Sequence, residues 1–192
     1  YLTFKKPHCY FKSENPSILL VGHSPSVRTS EEAEYVLKFN LETRPLFTYI
    51  KNDILDPLGL KKTDIYATNL IKCKTYRMPE DIPTSVDFFN EAFANCQVLL
   101  EMEIFEIKPI LILSLSERVL TILSRSYIHE NLKMKDTFGK LLRLPIAGMI
   151  IPYIPLVHIS KGKNSKVYQH YASEQIKRLS QLKEIVSRPT TQ

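Results

Sequence analysis

"SILLVGHSPSVRTS", residues 17–30, holds a continuous apolar run from Ile18 to Val21, bounded by Pro16 before it and Gly22 after it. A short run that is apolar at every position, rather than at every second one, is the pattern of a strand covered on both faces. Strands of that kind belong to sheets sandwiched between helices, so the stretch predicts an α/β fold. The run stops abruptly, and His23, Ser24, Pro25 and Ser26 follow. In open α/β sheets ligands bind beyond the carboxyl ends of the strands. This polar corner is therefore a candidate wall of a site.

Outward from this strand the pattern alternates. Thr29 or Ser30 caps a predicted helix with Glu31, Glu32 and Glu34 in its first turns, where carboxylates complement the helix dipole. Pro45 interrupts, and a second helix is expected from Phe47 to Leu58, closing at Gly59. "DIYATNL", residues 64–70, reads as a second strand, and the loop "KCKTYRMPEDIPTS", residues 72–85, follows it. Val86, Phe89, Phe93, Cys96, Leu100, Ile104 and Ile107 then recur at spacings of three and four, the apolar stripe of a long helix that Lys108 and Pro109 end. "ILILSL", residues 110–115, is a third buried strand, with a helix over 116–124 after it. A β-rich return is expected between Phe138 and His158, with Val157 closing the last strand, and an amphipathic helix over Ser165 to Val186. The expected architecture is one domain over residues 1–192, a three-layer α/β/α sandwich around a central, mainly parallel four-stranded sheet.

Composition narrows the class further. The chain of 192 residues is 44% hydrophobic, enough to bury a core and leave a cleft. No apolar run approaches the roughly 20 residues that span a bilayer, and the first residues lack the order of a secretion signal. The expectation is a soluble, cytoplasmic monomer with no membrane partner. The 26 Lys and Arg against 20 Asp and Glu give a charge of +6, an excess that matters to a partner only if gathered on one face. The three cysteines, Cys9, Cys73 and Cys96, are far apart and odd in number, which suits a reducing compartment and no disulfide framework.

Three polar groups sit at three expected strand ends: Gly22-His23-Ser24, Asn69 and His158. "GHSPS" is neither a Walker loop nor a dinucleotide fingerprint, and Pro25 breaks the Gly-x-Ser-x-Gly pattern of a nucleophile elbow. Asn69 both donates and accepts hydrogen bonds, as reading a nucleobase edge requires, and it equally suits a turn. After His158 comes "SKGKNSK", residues 160–166, in which Lys161, Lys163 and Lys166 precede a helix N-terminus. Cations beside free backbone N–H groups make a phosphate grip.

In their order along the chain, "VGHSPS", "RPLFTYI", "YATNLIKC", "NCQVLLEMEIFEIKPILILSLS" and "PLVHISK" resemble the uracil-DNA glycosylase superfamily. The resemblance is closest to its family 4, the iron–sulfur type, and covers residues 17–187. "YATNLIKC" is its most specific motif. The resemblance implies that Asn69 reads the uracil edge, with Gly22 forming part of the base pocket and Phe47, or its neighbour Leu46, stacking on the flipped base. It implies that His158 donates a hydrogen bond to the departing base and that Ser160, Lys161, Lys163 and Lys166 hold DNA. His23 and Ser24 fall where the superfamily carries a side chain that positions water, usually Asp, Glu or Asn. Ile159 stands where the family usually has proline. Cys73 and Cys96 match one pair of 4Fe–4S ligands and Cys9 falls near the other, so a cluster and plain buried thiols both stay open; no other cofactor is expected. The implied activity is hydrolytic removal of uracil or another deaminated base from DNA. The absent carboxylate motivates an alternative, a nucleic-acid-binding module with weak or no catalysis. A third reading is an α/β enzyme acting on a free nucleoside or another small molecule.

Overall fold

The structure, a computed structural model, describes residues 2–3, 10–25, 35–39, 42–75, 85–159 and 166–187. In chain order the strands and helices are β1 (Leu2–Thr3), β2 (Phe11–Lys12), β3 (Ile18–Gly22), α1 (Pro45–Ile50), α2 (Asp56–Leu58), β4 (Ile65–Asn69) and β5 (Lys74–Thr75). There follow α3 (Ser85–Ile107), β6 (Leu111–Leu115), α4 (Glu117–Leu123), α5 (Met134–Thr137), β7 (Leu142–Ile146), β8 (Met149–Leu156) and α6 (Lys166–Ser187). The first turns of the helix expected after Thr29 lie outside the described residues; of the stretch before Pro45, Val36–Lys38 forms a 3-10 turn, not an α-helix, with Leu37 at a φ of 54°.

Six strands form the main sheet in the order β2-β4-β3-β6-β8-β7, and β1 pairs with β5 in a separate ribbon. The four inner strands are parallel, while β2 and β7 run antiparallel at the two edges. The α/β class expected from the sequence is present, and the expected four-stranded sheet is corrected to a mixed, six-stranded one. The physical reason lies at the edges. Strand β2 is too short to leave a pattern, and β7 alternates in burial like a one-sided edge strand, turning into β8 at Ala147-Gly148. Strand β8 ends at Leu156, one residue before the expected Val157.

Side chains leave β3 alternately to two cores. Leu19 and Val21 join Tyr66, Phe89, Phe93, Leu100, Val119 and Leu120 on the α3 and α4 side. Ile18 and Leu20 join Phe47, Tyr49, Ile54, Leu58 and Leu179 on the side of α1, α2 and α6. Period-two alternation on a strand apolar throughout is thus satisfied by helices on both faces.

The helical run from α1 begins with Pro45 at its first turn, where a missing N–H costs nothing. It continues through a π-helical turn, Lys51–Leu55, into α2 and stops at Gly59, whose φ of 72° is the left-handed conformation of a C-cap. Ser116 caps α4, its hydroxyl accepting from the amide of Val119. Among the described residues no helix is long and apolar enough to cross a membrane.

Candidate functional site

The register of β3 on β4 brings the first two site segments level. Gly22 lies opposite Asn69, and past the paired residues the amides of Leu70 and Ile71 donate to the carbonyls of Gly22 and His23 at 2.9 and 3.0 Å. A Cβ at position 22 would stand 2.4 Å from Asn69 Oδ1 and 2.9 Å from Leu37 Cδ2. Glycine is required here by the close approach of the amide, which is itself buried.

His23 leaves the end of β3 and packs edge-on to Phe89 of α3, with 4.5 Å between ring centroids. Its Nδ1 lies 3.0 Å from Ser24 Oγ, while its Nε2 is sealed from solvent and has no hydrogen-bond partner among the described residues. A buried polar atom without a partner is rare and marks a place where a ligand group or water is wanted. Burial first, then the charges of Arg118 and His158, holds the His23 imidazole down at about 4. Burial likewise lowers His158, which follows Val157 just past the end of β8. Both rings are neutral at pH 7. A neutral imidazole with an acidity near 4 has about the proton affinity of a free Asp or Glu, whose reference values are about 3.9 and 4.3, but carries no negative charge. Such a group can orient a water and accept a proton from it, without adding the Coulomb attraction of a carboxylate for a cationic sugar.

Phe47 is buried in the core beside α6, edge-on to Phe39 at 5.7 Å and with Lys62 Nζ 5.2 Å from its ring centre. Leu46 beside it is half-buried. Ser160, Lys161 and Lys163 lie outside the described residues, and Lys166 opens α6.

Cys9 is also outside the described residues. Cys73 and Cys96 approach each other: burial raises the Cys73 thiol, and the neighbouring charge of Cys96 raises it further. Among the described residues no three His, Cys, Asp or Glu side chains gather as metal ligands. The resemblance makes the two thiols one pair of cluster ligands, but the three cysteines of this sequence do not complete four. Next to them, Lys72 meets Glu103 of α3 at 2.6 Å and donates to Thr68 Oγ1 at 2.7 Å, and Thr68 donates in turn to Glu103 at 3.1 Å. This half-buried network staples the chain leaving β4 to α3.

No family model matches the chain. Among curated proteins it is similar to a type-4 uracil-DNA glycosylase of Saccharolobus solfataricus, 27% identical over 124 residues, or 64% of this chain and 49% of the relative. The chain thus spans about half the length of that relative. The similarity supports the resemblance at the level of the superfamily.

Arg118 is the site residue that the sequence reading missed. It lies in the first turn of α4, after the central strand β6, with its guanidinium 5.5 Å from the Phe89 ring centre and close enough to His23 to depress its basicity. The available signal was its place, directly after the carboxyl end of β6, a strand that pairs with β3. The "SER" triplet offers no recognisable motif, and nothing in it marks the cation.

Proposed function

We propose that the protein is a DNA N-glycosylase-like hydrolase that takes a uracil or another deaminated base out of the stack and cleaves its N-glycosidic bond. The observation that carries this reading is the meeting, at one carboxyl edge of the sheet, of Asn69 against Gly22, His23 with a sealed and unpartnered Nε2, and His158 near enough to act on His23. In this reading Asn69 pairs with the base edge through its amide. His158 donates to the base O2 as negative charge develops on the leaving group, the kind of preorganised contact that dominates such barriers. His23, braced by Ser24, holds the attacking water. Phe47 or Leu46 stacks on the base, and the lysines from 161 to 166, with Ser160, hold the backbone. The resemblance adds a 4Fe–4S cluster on Cys9, Cys73 and Cys96, a structural group in this reading; with three thiols the set is incomplete, and the reaction is derived without it.

Incubation with a duplex carrying uracil opposite guanine, followed by alkali, should break the strand at the uracil. Absence of breaks with duplex and single-stranded uracil, hypoxanthine and xanthine substrates would overturn the reading. One observation favours a second reading, a DNA-binding module with little catalysis: the residue at the water position is an uncharged imidazole. Salt-dependent DNA binding without strand breaks is its expected signature. Failure to bind DNA at low salt removes both readings.

A further inference from the structure

We infer that Tyr49 and Gln175 form a side-chain clamp on Val157 that sets the position of His158, making both positioning residues for the departing base. The inference rests on the proposed glycosylase reading for the role of His158, and on separate geometry for the clamp. The ladder between β6 and β8 ends at Leu115 and Leu156, and the Ser116 amide takes the Leu156 carbonyl at 3.0 Å. Val157 comes next, still buried and beyond the sheet. Its backbone groups need partners that no strand supplies.

Two side chains supply them. The Val157 N–H donates to Gln175 Oε1 at 2.8 Å, Gln175 Nε2 donates to the Tyr49 hydroxyl at 2.9 Å, and that hydroxyl donates to the Val157 carbonyl. The three bonds close a ring around one residue, and Tyr49 and Gln175 are both fully buried. A peptide bond is planar, so the Val157 carbonyl and the His158 N–H share one rigid plane. Holding that oxygen fixes the plane from which the His158 side chain projects. Gln175 belongs to α6, the helix that follows the lysine-bearing segment, and Tyr49 to α1. The clamp therefore cross-links the chain just before His158 to the helix that ends the phosphate-gripping segment. The residue before the proposed leaving-group imidazole is thus held in one frame with α1 and α6.

The test compares Tyr49→Phe with Leu179→Ala, which removes from the same core a buried α6 side chain that makes none of the three clamp hydrogen bonds. Tyr49→Phe deletes the donor to Val157 and the acceptor for Gln175 while keeping the ring. Because the loss concerns alignment in the transition state, kcat for uracil release should fall about 10- to 100-fold with KM within about twofold. Leu179→Ala should lower the melting temperature yet leave kcat within about twofold. A Tyr49→Phe enzyme with undiminished kcat, or a Leu179→Ala enzyme that loses as much, would overturn the inference. Imidazole NMR resonances read the clamp without any substrate. In Tyr49→Phe the His158 signals should move while those of His129 and His170 stay, and in Leu179→Ala all three should stay. An unmoved His158 overturns the clamp. A moved His158 in a protein that cleaves nothing upholds the clamp and rejects the glycosylase reading alone.

Discussion

The two strand ends that present imidazoles are built by different means. At the end of β3, the carbonyls of Gly22 and His23 are taken by the amides of Leu70 and Ile71, so the neighbouring strand simply carries on the ladder. At the end of β8, Val157 has left the sheet, and side chains from α1 and α6 do the holding. The rings differ too. His23 is held neutral by burial together with the charges of Arg118 and His158, whereas His158 is lowered by burial. A main-chain anchor fixes the first end and leaves its ring nitrogen unpartnered. A side-chain anchor fixes the second and makes it sensitive to distant substitutions.

The largest expected difference between the ends appears in acid. His23 titrates at about 4 in the folded protein against 6.5 for a free imidazole, so between those values the unfolded chain binds the extra proton. Stability is therefore complete above about pH 6.5 and falls as the pH drops towards 4. At about 1.4 kcal/mol for each pH unit, this group costs on the order of 3 kcal/mol across the window. Urea unfolding at pH 7 and pH 4.5 should show the wild type losing more stability than His23→Gln; equal losses would assign the acid sensitivity elsewhere.

Next in size is Gly22→Ala. Its methyl group would press on Asn69 Oδ1 and Leu37, and overpacking of this kind costs about 1–3 kcal/mol. Uracil release should fall further than stability does, because the displaced group is the amide proposed to read the base. Denaturant midpoints set beside single-turnover rates separate the two. If rate and stability are both retained, the close approach at the β3 end does not constrain Asn69.

His23→Glu asks whether the neutral ring limits the rate. A carboxylate at that point, held ionised by Arg118, adds the attraction for a cationic sugar that imidazole lacks, and single-turnover uracil release should rise about tenfold, or 1.4 kcal/mol. A slower variant would show that His23 is no stand-in for a carboxylate. The smallest effect is spectroscopic. Arg118→Gln removes a charge that depresses His23, so the His23 titration followed by NMR should move upward while that of His158 stays in place.

The β3 end was largely legible in the sequence, the β8 end only in part. An apolar run announces β3 and most of β6, and β-formers announce β4, because burial on both faces favours such residues; Thr68, Asn69 and Ser114 are buried polar exceptions. The expected level of Gly22 with Asn69 then follows from parallel pairing. Strand β2, with two residues, has no such demand, and β7 alternates Leu142, Leu144 and Ile146 inward with exposed Arg143 and Pro145, an edge pattern without the continuous apolar run of β3. His158 was visible as a polar residue after an apolar strand, but its supports were not. Tyr49 and Gln175 lie 126 residues apart, and hydrogen bonds across that separation impose no local periodicity. Phe47 was assigned to base stacking by the resemblance alone, and an aromatic residue in a helix serves a core equally well; here it packs against Phe39.

Helix α3 has a mechanical consequence. It bears Phe89 against the His23 ring, Cys96 beside Cys73, and Glu103 on Lys72. Phe89 and Cys96 are about two turns apart, or on the order of 10 Å along a rod that rises 1.5 Å per residue. The partners of His23, Cys73 and Lys72 thus ride on one stiff beam. A tilt of that beam, whatever starts it at the thiols, is delivered at the other end as a displacement of the Phe89 ring packed on His23.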